Sequence, residues 1–122
     1  MGRSHDFGRR CEALAAAELA ARGWVIVARN FRHGHKEVDL IVRRGHTIAF
    51  VEVKGRSGQA FGHPLEAIGH GKRREVESAA RGWIARHGRP GDRYRFDAVS
   101  VILNGREPAR IDHIVDAWRP GE

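Results

Sequence analysis

What the chain lacks narrows it first. It has one cysteine, Cys11, so no internal disulfide can form and a multi-cysteine zinc site is excluded. That usage fits a reducing compartment, and a cytoplasmic protein is the expectation. No apolar run approaches the roughly 20 residues of a membrane span. The opening MGRSHDFGRR lacks the apolar stretch of a signal peptide, so no leader is expected. Met-Gly begins a myristoylation motif, but Asp6 stands where that motif needs Ser or Thr, so no membrane partner is expected. No internal repeat or low-complexity segment is present, and aromatics are only 7% of residues. With no aromatic-rich strand on which bases could stack, little sequence readout of a nucleic acid is expected.

What is present is positive charge. Lys+Arg number 22 against 15 Asp+Glu, a net charge of +7 with neutral histidines, and most of the 22 are arginine. An arginine-rich genome would produce such a bias by itself, yet a polyanionic partner, nucleic acid, is the favoured reading. The 122 residues read as one domain, 1–122, long enough to bury roughly two-thirds of the unfolded surface.

The stretch from Lys36 to Arg56, KEVDLIVRRGHTIAFVEVKGR, organises the rest. Val38, Leu40 and Val42 alternate with Glu37, Asp39 and Ile41, the period of a strand with two different faces. Arg44-Gly45 is the expected turn. The second strand rises through Ile48, Ala49, Phe50 and Val51, apolar on both faces, then sets Glu52 and Lys54 on one face and Val53 on the other. On a strand those two charges stand roughly 6.6 Å apart, and Asp39 lies on the adjoining strand within cross-strand reach. Two carboxylates about 5 Å apart repel by about 3 kcal/mol at an effective dielectric of 20. Lys54 offsets part of that. A hard divalent cation offsets the rest, because Mg²⁺ (or Mn²⁺) takes one or two carboxylates and completes its shell with water and phosphate oxygens. Asp39, Glu52 and the backbone carbonyl of Val53 are the expected ligands. Such an ion activates water and stabilises charge on a scissile phosphodiester, with Lys54 orienting the water or neutralising the transition state. A structural salt-bridge cluster is the rival reading, since acid-x-Lys triplets are common.

Around this hairpin the chain reads α-β-β-β-α-β with a final strand. Asp6 to Arg22 is an alanine-rich helix with Asp6 as N-cap and Gly23 as stop. Glu12, Ala15, Ala16 and Leu19 share one stripe, so Glu12 either faces the sheet as a further acid or reaches solvent or an arginine. Trp24 to Asn30 is a strand, Phe31 to His35 a basic turn, and the short links imply an antiparallel meander. Gly55 to His63 is a glycine-rich loop beside the charged cluster, and it lacks the Gly-Lys-Ser/Thr of a phosphate-cradling loop. Pro64 can begin a helical turn. The second helix begins between Gly69 and Lys72 and runs to His87, with Lys72, Val76, Ala79, Ala80 and Trp83 on its inward stripe. Lys72 there is a solvated first-turn lysine on the plainer reading and a phosphate contact on the functional one. Tyr94 to Leu103 is a strand whose Asp97 is expected to pair with an arginine, Asn104-Gly105 a turn, and Ala109 to Trp118 a strand with a short helical end. His33, His35 and His113 are a weaker candidate set for a soft metal.

Taken together, Gly8 with Glu12 and Ala15, Arg29-Asn30, Glu37-Val38-Asp39-Leu40-Ile41, Phe50-Val51-Glu52-Val53-Lys54 with Arg56, Gly62 with Pro64, Lys72, and Arg95-Phe96-Asp97 resemble the YraN family. These are small, largely uncharacterised bacterial proteins of the PD-(D/E)xK restriction-endonuclease-like superfamily. The likeness runs from Gly8 to Trp118. It implies an α/β fold with a restriction-endonuclease-like αβββαβ core, a mixed central sheet flanked by helices, and its acids on the second and third strands. Asp39, Glu52 and Lys54 take the catalytic positions. Glu12 matches the helical glutamate of Holliday-junction-resolvase-like members, which cut branched DNA as dimers. The resemblance therefore implies a Mg²⁺-dependent nuclease acting on DNA, on branched or flapped structures, with a homodimer as a further expectation and Arg56 and Lys72 as nucleic-acid contacts. The alternative is a non-catalytic nucleic-acid-binding protein that retains the nuclease fold. Lys36 and Cys11 stand where the family usually has glycine, which changes packing beside the site.

Overall fold

In the computed structural model, residues 3–58 and 68–121 are described. Gly62, Pro64 and most of the loop expected over Gly55 to His63 lie outside them. Alanine-rich sequence makes the first element, α1 (Arg3–Ala21), which begins three residues before the expected Asp6, so that Asp6 sits in its first turn. There its charge complements the helix dipole. The helix stops where glycine allows it to. Gly23 adopts φ +93°, its N–H donates to the Ala20 carbonyl at 3.1 Å, and Trp24 N–H donates to Leu19 O at 3.0 Å. That pair of bonds is a Schellman closure.

Three strands follow: β1 (Val25–His33), β2 (Lys36–Arg44) and β3 (Thr47–Ser57). The basic turn expected over Phe31 to His35 is mostly strand, because pairing continues through Phe31↔Val38 to His33↔Lys36. The links are two-residue loops, Gly34-His35 and Gly45-His46. Each has its glycine at positive φ, +64° and +63°, the conformation that matches hairpin twist. The second turn thus lies one residue beyond the expected Arg44-Gly45. Strand β3 also runs past Lys54 to Ser57, into the expected loop, because it pairs along its whole length with β4 (Arg93–Leu103). That pairing is parallel, and α2 (His70–His87) makes the crossover. Antiparallel β5 (Arg110–Trp118) completes a sheet of order β1-β2-β3-β4-β5. It is strand to its end, without the expected helical turn, because Trp118 pairs with Phe96 in the ladder and stacks on its ring at 5.4 Å.

The fold is α/β, a mixed sheet with a helix on each face, and its order is that of the restriction-endonuclease-like αβββαβ core with one added strand. Two cores share the sheet. Cys11, Ala15, Ala16 and Leu19 of α1 pack with Leu40, Val42, Ala49, Val51, Val99 and Val101. Val76, Ala79, Ala80 and Trp83 of α2 pack with Val38, Ile41, Ile48, Phe50, Phe96 and Ala98. Strand β2 therefore breaks its alternation. Leu40 and Val42 face α1 but Val38 packs on the α2 side, so the expected Val38-Leu40-Val42 face does not exist. Opposite this irregularity, Asn30 takes φ +50° between the pairs Arg29↔Leu40 and Phe31↔Val38.

Candidate active site

The site begins where a ladder ends. Pairing between β2 and β3 runs from Arg44↔Thr47 to Leu40↔Val51 and stops one step short of Asp39 and Glu52. The Val53 N–H donates to Asp39 Oδ2 at 2.8 Å, where a continued ladder would have offered a backbone carbonyl. The parallel partner β4 continues beside β3, through Glu52↔Ala98 and Lys54↔Ser100. The sheet thus holds β3 straight while β2 turns aside, and the two acids meet in the fork.

Glu52 is 2% exposed and Asp39 9%. Phe50 faces α2, so Glu52 and Lys54, two and four positions on, face it as well. Burial is the main force that pushes the Glu52 carboxyl up to about 9, and the neighbouring Asp39 carboxyl adds to it. Lys72 and Lys54 pull the other way, Lys72 more strongly. Lys72, in the first turn of α2, sets its Nζ 3.6 Å from Glu52 Oε2. Burial draws the Lys72 ammonium down, but Glu52, Asp39 and Glu75 outweigh it and hold it above the ordinary lysine value. The solvated lysine of the plainer sequence reading is thus a half-buried partner of a buried acid. Lys54 is half-buried and close enough for its charge to act on Glu52. Arg56 follows on the same strand, half-buried, with partners of its own.

Glu12 approaches from the opposite helix. Its carboxyl is held above the ordinary value by burial first and then by the Asp39 charge, so Asp39 acts on both Glu12 and Glu52. A second acid, Glu37, completes this side. With its carboxamide oriented to satisfy its neighbours, Asn30 donates from one nitrogen to Glu37 Oε1 at 3.0 Å and to Glu12 Oε1 at 3.2 Å. Arg32 Nε lies 3.3 Å from the other Glu37 oxygen. A cleft of about 440 Å³ opens here, lined by His5, Gly8, Arg9, Glu12, Asn30, Arg32 and Glu37. Reasoning on sequence passed over Asn30 and Glu37 as site residues. A signal was available, since Arg29-Asn30 and Glu37 are among the residues that carry the family resemblance, and asparagine is a residue type that strands disfavour and the left-handed region accepts.

The donors suit a hard divalent cation. Glu52 Oε2 is fully buried and has no hydrogen-bond partner among the described residues, a costly arrangement for a carboxylate oxygen. The Glu52 carboxyl also binds a proton unusually tightly, and a proton is what a cation would replace. Among the described residues no group of three or more His, Cys, Asp or Glu side chains is placed to hold a metal ion, so the candidate set is the two carboxylates of Asp39 and Glu52, and Mg²⁺ takes as few as one or two. The histidine set does not come together. His113 Nε2 lies 2.7 Å from Asp97 Oδ2, and His33 packs where a side chain on Gly82 would have to go, 2.5 Å from its ring. Asp97 is wholly buried and takes both a bidentate bond from Arg95 at 2.9 Å and the Asp116 N–H. It pairs with an arginine, as its sequence context implied.

Comparison with known proteins places the chain among relatives without an assigned activity. The sequence model of "Uncharacterised protein family UPF0102" matches residues 11–101. A UPF0102 protein of Anaeromyxobacter dehalogenans (strain 2CP-C) is 45% identical over 118 residues, covering 93% of this chain and 87% of the relative. One from Rhodococcus jostii (strain RHA1) is 38% identical over 97% of this chain and 100% of its own length. One from Chlorobium limicola (strain DSM 245 / NBRC 103803 / 6330) is 35% identical over 93% of this chain and 92% of its own.

Proposed function

We propose that this chain, which belongs to the uncharacterised protein family UPF0102, is a cytoplasmic, divalent-cation-dependent nuclease that hydrolyses phosphodiester bonds of DNA. The observation that carries this reading is the buried pair Asp39 and Glu52 at the open end of the β2–β3 ladder, with Glu52 Oε2 lacking a hydrogen-bond partner among the described residues. Asp39, Glu52 and the Val53 carbonyl would hold Mg²⁺ or Mn²⁺. The ion supplies an activated water and neutralises charge at the phosphorus.

The remaining roles belong to the chain's own side chains. Asp39 keeps the fork in shape by accepting the Val53 N–H. Lys54, on the same face as Glu52, orients the attacking water or neutralises the developing negative charge. Lys72 offsets the charge on Glu52 and, with Arg56, meets the phosphate backbone. Glu12 serves as an outer acid that hydrogen-bonds to water at the site. Arg9 and Arg32 on the wall of the adjoining cleft draw a polyanion towards an otherwise acidic floor. Contacts of this kind grip the backbone and carry little sequence information, which suits recognition by shape, as in branched or flapped DNA.

The test is to incubate the purified protein with plasmid, flap and four-way-junction DNA, with and without Mg²⁺ or Mn²⁺, beside Glu52→Ala and Lys54→Ala. Cation-dependent cleavage by the wild type that both variants lose is the expected result. Cleavage that survives in both would come from a contaminant. Binding without cleavage under every cation would leave a nucleic-acid-binding protein that retains a nuclease fold.

A further inference from the structure

Asn30 performs a task that neither its strand nor its core explains. It is one of two non-glycine residues among those described with positive φ, and its side chain is exposed rather than packed. A left-handed residue inside a strand costs backbone energy and survives where its surroundings require it. What its side chain does there is donate both amide hydrogens to two carboxylates, Glu12 Oε1 of α1 and Glu37 Oε1 of β2. Those acids come from elements that otherwise meet through small apolar side chains such as Ala15 and Ala16. Two carboxylates brought together repel, and a neutral amide with two N–H donors is the side chain that can bridge them without adding charge. The far oxygen of Glu37 is taken by Arg32, which leaves Glu37 a fixed post and Glu12 the acid being placed.

We propose that Asn30 is the positioning residue for Glu12: it anchors the α1 carboxylate to the β1–β2 hairpin, at the distance from Asp39 that lets Glu12 support cation binding. The left-handed backbone aims the amide into the gap between helix and hairpin. The inference rests on the cation-site reading above and extends it to a residue that would not itself touch the cation.

The test uses the full chain and Mn²⁺ alone, with affinity read by electron paramagnetic resonance titration and folding by the melting temperature. Asn30→Gly relaxes the left-handed backbone while deleting the bridge, so it is expected to melt close to wild type. Losses of outer-shell partners cost about tenfold or more in metal affinity, and that is the expected loss for Asn30→Gly and for Glu12→Gln. Because one residue acts through the other, the double variant should bind no more weakly than Glu12→Gln alone. Wild-type affinity in Asn30→Gly or in Glu12→Gln would overturn the assignment, as would a double variant showing the product of the two losses. A wild type that binds Mn²⁺ no better than Glu52→Gln would instead remove the cation-site reading itself, and the role of Asn30 with it.

Discussion

Lys72 Nζ in the first turn of α2 stands 3.6 Å from Glu52 Oε2 on β3, tying the crossover helix to the acid at the end of the ladder. The first turn of a helix is electrostatically a poor place for a cation, and Glu52, Asp39 and Glu75 together outweigh burial and favour the Lys72 ammonium. Lys72 in turn favours an ionised Glu52, but burial and the Asp39 carboxyl outweigh it and hold the Glu52 carboxyl up to about 9.

That imbalance predicts how stability follows pH. A carboxyl whose folded pKa lies above its ordinary 4.5 binds a proton more tightly in the folded state. Its stabilising contribution is therefore complete below about 4.5 and drains away as pH rises through about 9. In EDTA the protein should lose up to about 4 kcal/mol between acid pH and roughly pH 7.5, at 1.36 kcal/mol per unit. Urea unfolding across that range measures it. Glu52→Gln should flatten the dependence and added Mn²⁺ should oppose it, whereas a flat wild-type profile would rule out a protonated, buried Glu52.

Lys72 is expected to serve DNA as well as Glu52. Log affinity for a flap DNA falls linearly with log salt in proportion to the phosphates contacted, and Lys72→Ala should reduce that slope by about 1. Fluorescence anisotropy over a salt series reads it. An unchanged slope would assign the lysine charge wholly to Glu52.

Helix α1 makes one especially close approach to β3. A Cβ on Gly55 would collide with Cys11 Sγ and reach 3.0 Å from the Phe7 ring, so α1 can lie this near β3 only over a glycine. Gly55→Ala should cost about 1–3 kcal/mol as overpacking. Cys11→Ala in the same chain should recover part of it. Two losses that simply add in urea titrations would show that Cys11 does not supply the clash.

On the far side of the sheet from Lys72, Asp97 faces a different test. Burial raises its carboxyl, but His113, Arg95 and the Asp116 N–H outweigh that and hold it below its ordinary 3.8. Its contribution is thus complete above 3.8 and disappears as pH falls through the lowered folded value. Asp97→Asn, which leaves Arg95 beside a neutral amide, should cost about 3–5 kcal/mol at neutral pH. It should also soften acid unfolding. Wild-type stability at neutral pH would show the pair to be dispensable.

The hairpin loops were nearly legible because glycine tolerates positive φ, but their bounds depended on how far the strands paired. Strand β1 ran past its apolar core because His33 found Lys36 across the turn. Strand β5 stayed extended because Phe96 gave Trp118 a ring to stack on. The period of β5 fitted helix and strand alike, and only the neighbouring strand separated them.

By itself the sequence determined the two helices, the first four strands and the presence of Asp39, Glu52 and Lys54 at the hairpin, because residue periodicity and side-chain type are local properties. The break in the ladder at Leu40↔Val51, the meeting of Lys72 with Glu52, and the Asn30 bridge between Glu12 and Glu37 were decided by tertiary structure. Each joins residues of different elements. Their geometry is set by how each helix packs on its own face of the sheet, and no local pattern encodes that distance.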